Sequence, residues 1–284
     1  MSLSINSATA LSSLSRWIKL NYDLIPVHDH AIMLTKFDLL TSNGESATQG
    51  ISYVKEMCKP GDSSSIIEDI GGMSTAVIAA HELAHSLGAY HDGLTNESFD
   101  CPITNNNLMS PSAISGSLLS NSFKLSPCSQ RHINDFLSIP SSWCLHKRIQ
   151  VKPPSTIISP QPGVNLTIGQ VCQIAFGPHY STCPNPRVYS SASVCQQIWC
   201  KDRSRKRFEP CETKPYLPAL DGTYCGYGKW CQRGECVVNP QAIEDCQDIN
   251  VKTCTKYSKA KLKHFCGNAD FAKVCCSSCM SIKS

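Results

Sequence analysis

The sequence predicts an α+β domain, made of a mixed sheet plus helices, followed by two small disulfide-rich modules. In the first 150 residues, apolar positions alternate between helical spacing and short strand-like runs. Only four of the 18 cysteines precede residue 150, and the rest are dense enough for a disulfide framework made in an oxidising compartment. Residues 149–163 hold four prolines and no cysteine, which is typical of a semi-rigid linker.

The first region contains four elements that periodicity can place. Residues 7–20 have apolar residues at helical spacing, which predicts a helix. Residues 30–35 form a short apolar run, which predicts a buried strand, and residues 50–54 predict a second strand at an edge of the sheet. A further helix is predicted over residues 73–90.

That last helix contains a metal-binding pattern. Residues i and i+4 share one helix face, so His81 and His85 can point two imidazoles at one metal ion. Gly88 breaks the helix, because glycine takes positive φ without a steric penalty, and His91 can turn back as a third ligand. Three neutral histidines leave one tetrahedral position open, which is typical of a catalytic zinc.

Glu82 lies one position further round the helix, beside the predicted zinc rather than on it. This position suits a general base that takes a proton from a zinc-activated water. The alternative is an amphipathic helix with surface histidines. Five specified residue types in this order seldom coincide by chance, so the spacing favours a catalytic metal site.

The pattern resembles that of the metzincin metalloproteases, and Asp92 directly after the third histidine resembles their adamalysin (reprolysin) and ADAMTS branch. The similarity extends to residues 29–39, 57–69 and 126–137, and to the Met-turn at Leu108-Met109-Ser-Pro. It implies that residues 1–148 form a metzincin domain in which Met109 packs under the histidines. It also implies a zinc metalloendopeptidase acting on extracellular proteins.

The resemblance further implies an N-terminally truncated domain, since the family's first strands and long helix find no counterpart before residue 7. An exposed sheet edge is then expected, and Asp29 is a candidate ligand of a calcium site. The start Met1-Ser-Leu-Ser-Ile-Asn-Ser has neither the basic nor the apolar region of a signal peptide, and no prodomain is recognised. We therefore interpret the chain as part of a longer, secreted precursor. No apolar run is long enough to span a membrane.

The cysteine-rich regions resemble two known modules. Residues 164–240 are similar to the disintegrin-like, cysteine-rich module of ADAMTS proteins, and residues 241–284 to the PLAC module of matrix-associated proteins. From the residues alone, the eight cysteines of the first module allow 105 pairings. The resemblance implies six disulfides, namely Cys58–Cys144, Cys101–Cys128, Cys172–Cys200, Cys183–Cys211, Cys195–Cys231 and Cys225–Cys236.

The charge distribution indicates a further partner. The net charge of +4 is unevenly distributed: residues 1–150 carry a net charge of −4, whereas residues 246–284, which hold seven lysines and two aspartates, carry +5. The basic end is a candidate for binding anionic matrix polysaccharide such as glycosaminoglycan, and a solvated basic surface is the alternative. Asn96-Glu-Ser and Asn165-Leu-Thr are candidate glycosylation sites. Nothing in the sequence indicates a nucleic-acid partner.

A second class of function stays open at this point. The chain would then be a catalytically incompetent extracellular protein that binds its partners through the cysteine-rich modules. Zinc content and protease activity distinguish this alternative from a metalloendopeptidase.

Overall fold

The computed structural model describes residues 3–94, 96–112, 119–146, 161–185, 193–206, 208–226, 228–239 and 247–282. The chain divides into two compact units, Met1–Thr156 and Ile157–Ser284. Among the described residues, no helix is both long enough and apolar enough to cross a bilayer. The α+β class predicted from the sequence, followed by a disulfide-rich part, is confirmed.

The first unit contains a three-stranded mixed sheet and a separate pair of strands. The strands are β1 Ser4–Asn6, β2 Ala31–Thr35, β3 Asp38–Leu40, β4 Gly50–Ser52 and β5 Ser64–Glu68. The sheet has the order β2-β5-β4, with β2 parallel to β5 and β4 antiparallel to it. The pair consists of β1 and β3, which run parallel.

Three α-helices surround these strands: α1 Ser7–Leu20, α2 Met73–Ser86 and α3 Pro127–Leu137. The side chain of Asn6 caps α1, and that of Ser126 caps α3, because each accepts a backbone N–H of the first turn. Short 3₁₀ turns cover Tyr22–Leu24, Asn96–Ser98, Ile103–Asn105, Leu119–Phe123 and Pro140–His146.

The core of the first unit forms where α1 meets the strands and where α3 meets the end of α2. Ala10, Leu11, Leu39 and Ile66 are buried together in the first cluster. In the second cluster Phe136 is buried beside the Cys58–Cys144 disulfide, against Leu83 of α2 and Leu87, the residue that follows this helix. Full burial of such side chains contributes about 1.5–3 kcal/mol each.

The strand predicted at residues 30–35 is present as β2, but the prediction that this strand is buried is wrong. In β2, Ile32 is 47 % exposed, Met33 38 % and Leu34 60 %. The strand pairs with β5 along one side and lies at the outer position of the described sheet. An apolar run shows β-propensity, but it does not tell whether another layer covers the strand.

The second unit is built from short helices and hairpins. The helices of this unit are α4 Pro162–Asn165, α5 Ile168–Phe176, α6 Val251–Cys254, α7 Lys259–Phe265, α8 Ala269–Val274 and α9 Cys276–Met280. Its strands are β6 Tyr180–Thr182, β7 Cys200–Asp202, β8 Tyr224–Gly226, β9 Lys229–Gln232 and β10 Glu235–Val238. Antiparallel pairing joins β6 to β7, and β8, β9 and β10 form an antiparallel sheet.

The predicted linker, residues 149–163, extends too far. Most of it lies outside the described residues, but its last residues belong to the folded second unit. Pro162 is the first residue of α4, a position that suits proline because its missing N–H has no helical partner there. The N–H of Gly163 donates to the carbonyl of Asp221 at 2.8 Å.

Disulfides replace much of the apolar core in the second unit. Four of them join the pairs that the resemblance implied: Cys172–Cys200, Cys183–Cys211, Cys195–Cys231 and Cys225–Cys236. Two more, Cys254–Cys275 and Cys266–Cys279, cross-link the last helices and were not predicted. The buried apolar residues around them are few, chiefly Ile168, Val171, Ile198 and Leu217.

Candidate metal centre

Three histidines of the first unit converge at the end of α2. Nε2 of His91 lies 3.1 Å from Nε2 of His81 and 3.1 Å from Nε2 of His85. One ligand atom from each histidine lies within 4.8 Å of the other two. The structure therefore brings together the three residues that the sequence motif predicted as metal ligands.

The chain reversal after α2 positions the third histidine. The predicted helix 73–90 ends earlier, at Ser86, and Gly88 adopts a φ of 99°. The N–H of Gly88 donates to the carbonyl of His85 at 2.8 Å, and that of Ala89 donates to Ala84 at 2.9 Å. Because an L-residue would be strained at this φ, glycine suits the turn that returns His91 to the helix.

Hydrogen bonds to the other ring nitrogens orient two of the imidazoles. Nδ1 of His81 lies 2.7 Å from the carbonyl oxygen of Leu108, and Nδ1 of His85 lies 2.7 Å from that of Ala89. A carbonyl oxygen only accepts, so both Nδ1 atoms carry the hydrogen and both Nε2 atoms present a lone pair.

This arrangement fits a zinc ion. One hydrogen on His91 can satisfy only one of the two 3.1 Å contacts, whereas a cation accepts lone pairs from all three rings. Nitrogens bound tetrahedrally at about 2.05 Å from zinc lie roughly 3.3 Å apart, close to the separations seen here. The carbonyl partners of Nδ1 are the outer contacts that zinc-binding histidines ordinarily make.

The surroundings keep these histidines neutral. Burial, assisted by the neighbouring His91 and opposed by the hydrogen bond to Leu108, lowers the pKa of His81 to about 4. Burial lowers the pKa of His85 to about 3, with His81 and His91 acting in the same direction. The pKa of His91 is also lowered by burial. Neutral imidazole is the form that binds metal, so the ligands are ready over the physiological range.

Glu82 is buried beside the histidines and faces strand β4. Its Oε2 accepts a hydrogen bond from the hydroxyl of Ser52 at 2.7 Å. Burial raises the pKa of Glu82 to about 7, against the opposing effect of this hydrogen bond. A carboxyl group with a proton affinity near neutrality can both take and release a proton, as a general base requires.

The floor of the centre contains Met109, which is fully buried against Ala84 and Ala89. Its carbonyl accepts the N–H of Asp92 at 2.9 Å. The carboxylate of Asp92 is also buried and accepts the hydroxyl of Ser126, the cap of α3, at 2.7 Å. Both residues that the resemblance placed near the site therefore connect it to neighbouring segments.

Other predicted sites are not part of this centre. Asp29 is exposed, and within the described residues it belongs to no group of three or more candidate ligands. The calcium site therefore stays a prediction. Asn96 and Asn165 are exposed, as a glycosylated asparagine must be, while the hydroxyl of Ser98 in the first sequon donates to the carbonyl of His91 at 2.6 Å.

Sequence reasoning missed Gly50 and Ser52 as neighbours of Glu82. A Cβ on Gly50 would lie 2.6 Å from Oε1 of Glu82. Neither residue belongs to a recognisable motif, and Ser52 lies 30 residues before Glu82 in the chain. Only the packing of β4 against α2 reveals their contacts with the site.

Comparisons with known proteins cover both units. Residues 1–148 match the family described as Reprolysin (M12B) family zinc metalloprotease. Residues 162–237 match the family described as ADAMTS cysteine-rich domain 2.

Curated proteins align across the two matched regions. The human protein named "A disintegrin and metalloproteinase with thrombospondin motifs 16" is 35 % identical over 213 residues, which is 74 % of this chain and 16 % of the relative. Human "A disintegrin and metalloproteinase with thrombospondin motifs 7" is 35 % identical over 248 residues, 82 % of this chain and 13 % of the relative. The rat protein named "A disintegrin and metalloproteinase with thrombospondin motifs 1" is 35 % identical over 239 residues, which is 82 % of this chain and 23 % of the relative. The chain thus spans less than a quarter of the length of these relatives.

Proposed function

Because the chain belongs to the reprolysin (M12B) family of zinc metalloproteases, we propose that it is a secreted metalloendopeptidase that cleaves extracellular proteins. The observation that supports this most directly is the convergence of three histidine Nε2 atoms beside the buried carboxylate of Glu82. The disulfides of both units are consistent with secretion.

His81, His85 and His91 would hold the metal ion. Zinc bound there supplies a Lewis acid that polarises a scissile carbonyl and acidifies water. The water that attacks the carbonyl releases a proton, and Glu82 accepts this proton at Oε1. No hydrogen bond of the described residues engages this oxygen. Glu82 then passes this proton to the leaving amine, which requires the near-neutral pKa that burial produces.

Strand β4 is suited to hold the substrate. Within the described sheet, β4 pairs with β5 along one side only, so its other side offers free backbone groups. An extended peptide can add there as a further strand, with hydrogen bonds that do not depend on its sequence. The same strand contacts Glu82 through Ser52, so a peptide held there lies next to the general base.

The catalytic proposal is tested by measuring zinc content and casein cleavage on the same oxidised samples. Glu82→Gln keeps the size of the side chain and removes its basicity. We expect one zinc per chain in both proteins and a loss of activity of about 10²–10⁴-fold in the variant. Glu45→Gln, a change at an exposed position of the same unit, is the matched control and should leave activity unchanged.

Two other outcomes contradict the proposal. Zinc binding without cleavage would favour the non-catalytic alternative, a protein that binds through its cysteine-rich modules. Equal cleavage by the Glu82→Gln variant would mean that another base, or another protein in the sample, is responsible.

We also propose that the basic end of the chain binds sulfated polysaccharide. Five lysines there are exposed, and none forms an ion pair with another described residue: Lys252, Lys256, Lys259, Lys261 and Lys263. Asp248, in the same region, accepts the hydroxyl and the N–H of Ser278. The cationic groups are therefore available to a polyanion.

Heparin chromatography tests this second proposal. Replacing the five lysines by glutamine should lower the salt concentration needed for elution, whereas replacing them by arginine should preserve it, because the charge is retained. Equal elution of the glutamine variant would assign heparin binding to another surface or to none.

A further inference from the structure

Strand β4 contacts the general base at two points. The hydroxyl of Ser52 lies 2.7 Å from Oε2 of Glu82 and 2.9 Å from its backbone carbonyl. Both acceptors lie within hydrogen-bond distance, and the nearer one is an oxygen of a buried carboxylate. The hydroxyl has one hydrogen, which these two acceptors share, so Ser52 links the strand to the side chain and the backbone of Glu82 through a three-centre hydrogen bond.

Gly50 leaves the space that the carboxylate occupies. A Cβ at this position would lie 2.6 Å from Oε1, 2.8 Å from Cγ and 2.9 Å from Cδ of Glu82. Real side chains do not approach this closely, so any larger residue would displace the glutamate or the strand. Position 50 requires glycine because the side chain of Glu82 approaches the backbone of β4 this closely.

The register of the strand brings these two contacts together. Side chains at positions i and i+2 of a strand lie on the same face, so Gly50 and Ser52 both face α2. Ile51 between them packs on the opposite face, against the cluster that contains Leu11 and Leu39. Its burial fixes the rotation of β4, and pairing with β5 fixes its position along the strand axis.

We propose that Ser52 is a positioning residue for Glu82 in the reaction. Its hydroxyl holds Oε2, and the absence of a side chain at Gly50 admits the carboxylate, so Oε1, which no hydrogen bond of the described residues engages, stays available for proton transfer. This inference rests on the proposed metalloendopeptidase function. It adds a residue from outside the histidine motif to the catalytic apparatus.

The physical reason is the freedom of a glutamate side chain. Glutamate has three rotatable bonds, and a base that is misplaced by about 1 Å can lose up to roughly 10²-fold in rate. Removal of the hydroxyl would also leave Oε2 buried without its hydrogen-bond donor. Both effects lower turnover rather than the affinity for substrate.

The test compares Ser52→Ala with Ser52→Thr. In Ser52→Ala we expect kcat to fall about tenfold with KM changed less than twofold. Ser52→Thr should restore kcat, because threonine keeps the hydroxyl and suits a strand. Zinc content, measured on the same samples, should match the wild type in both variants, and thermal unfolding should show that both variants are folded at the assay temperature.

Ser46→Ala is the matched control. It removes another hydroxyl–carboxylate hydrogen bond of the same unit, 2.6 Å from Ser46 to Asp38, without touching Glu82. It should leave kcat unchanged. A crystal structure of Ser52→Ala supplies a readout besides activity, in which the carboxylate of Glu82 should occupy more than one conformation.

The outcomes separate this inference from the function on which it rests. If the wild type is active, Glu82→Gln is inactive and Ser52→Ala keeps the wild-type kcat, the role of Ser52 is refuted and the proposed function stands. If the zinc-loaded wild type has no activity, the proposed function and the role of Ser52 are both refuted. A Ser52→Thr variant as slow as Ser52→Ala would also refute the role of the hydroxyl.

Discussion

The two units of this chain are stabilised in different ways. In the first unit, apolar clusters join helices to strands, and two disulfides link described residues. In the second unit, six disulfides link described residues, and many of its most buried positions are cysteines. The residues of the candidate metal centre all lie in the first unit, so helix and strand packing holds the chemistry, while the second unit depends on an oxidising environment.

The largest effect is expected when the disulfides are reduced, because the two units should then differ in whether they unfold. A non-chelating phosphine reductant near pH 8 should unfold the second unit, because removal of disulfides from a small domain typically costs about 2–5 kcal/mol each. The first unit should keep its helices, since only two disulfides link its described residues and its cluster of Ala10, Leu11, Leu39 and Ile66 contains no cysteine. Hydrogen exchange read separately on α2 and on β9 measures both responses. Simultaneous loss of protection in the two units would contradict the comparison.

The next effect tests the apolar core of the first unit. Phe136 is fully buried between α2 and the Cys58–Cys144 disulfide, and Phe136→Ala should lower the free energy of unfolding of this unit by about 3–5 kcal/mol. Urea unfolding followed by hydrogen exchange on α3 provides the measurement. Phe208→Ala is the control in the second unit, because this phenylalanine is 95 % exposed and should contribute little. Similar losses at both positions would show that burial does not decide the stability.

A smaller effect is expected at a strained residue beside the metal centre. Lys55 has a φ of 65°, and its N–H donates to the carbonyl of His85, a predicted metal ligand, at 2.9 Å. Lys55→Gly should relieve this conformation and stabilise the first unit by about 1 kcal/mol. Thermal unfolding should show a higher Tm. Arg233→Gly makes the same change in the second unit, where φ is 49°, and should act in the same direction.

The smallest effect depends on pH. Partial burial raises the pKa of Asp62, but hydrogen bonds from Lys19 and Ser15 outweigh it and leave that pKa below 3.8. A lowered pKa in the folded state stabilises above the unfolded value, and this contribution is lost as pH falls through the folded value. Asp62→Asn should therefore lower the stability at pH 7 by about 0.5 kcal/mol, as expected for a partly exposed ion pair.

The difference between Asp62→Asn and the wild type should shrink as the pH falls through the lowered pKa of Asp62, because its carboxyl then becomes neutral like the asparagine amide. Urea unfolding over an acid pH series, read by exchange on α1, tests this. Asp23→Asn, at an exposed position with no ion pair among the described residues, is the control. A difference between Asp62→Asn and the wild type that persists in acid would assign the effect to packing rather than charge.

Local patterns in the sequence predicted much of the first unit correctly. The helix at residues 7–20 has the predicted bounds, because its apolar spacing and the cap at Asn6 act within a few residues. The family followed from the ordered histidines, glycine and aspartate after residue 80, and the comparisons confirm it. The six disulfide pairs came from resemblance, since the residues alone left many pairings open.

What the sequence by itself determined is therefore what neighbouring residues decide: helix α1, the spacing of the histidines on α2 and the reversal at Gly88. Only the tertiary structure decided that β2 exposes Leu34 and that Ser52 holds Glu82. Burial and the contact of β4 with α2 depend on residues far apart in the chain. Hydrophobic periodicity and motifs predict the local backbone conformation, but they do not predict which surfaces pack together when the chain folds.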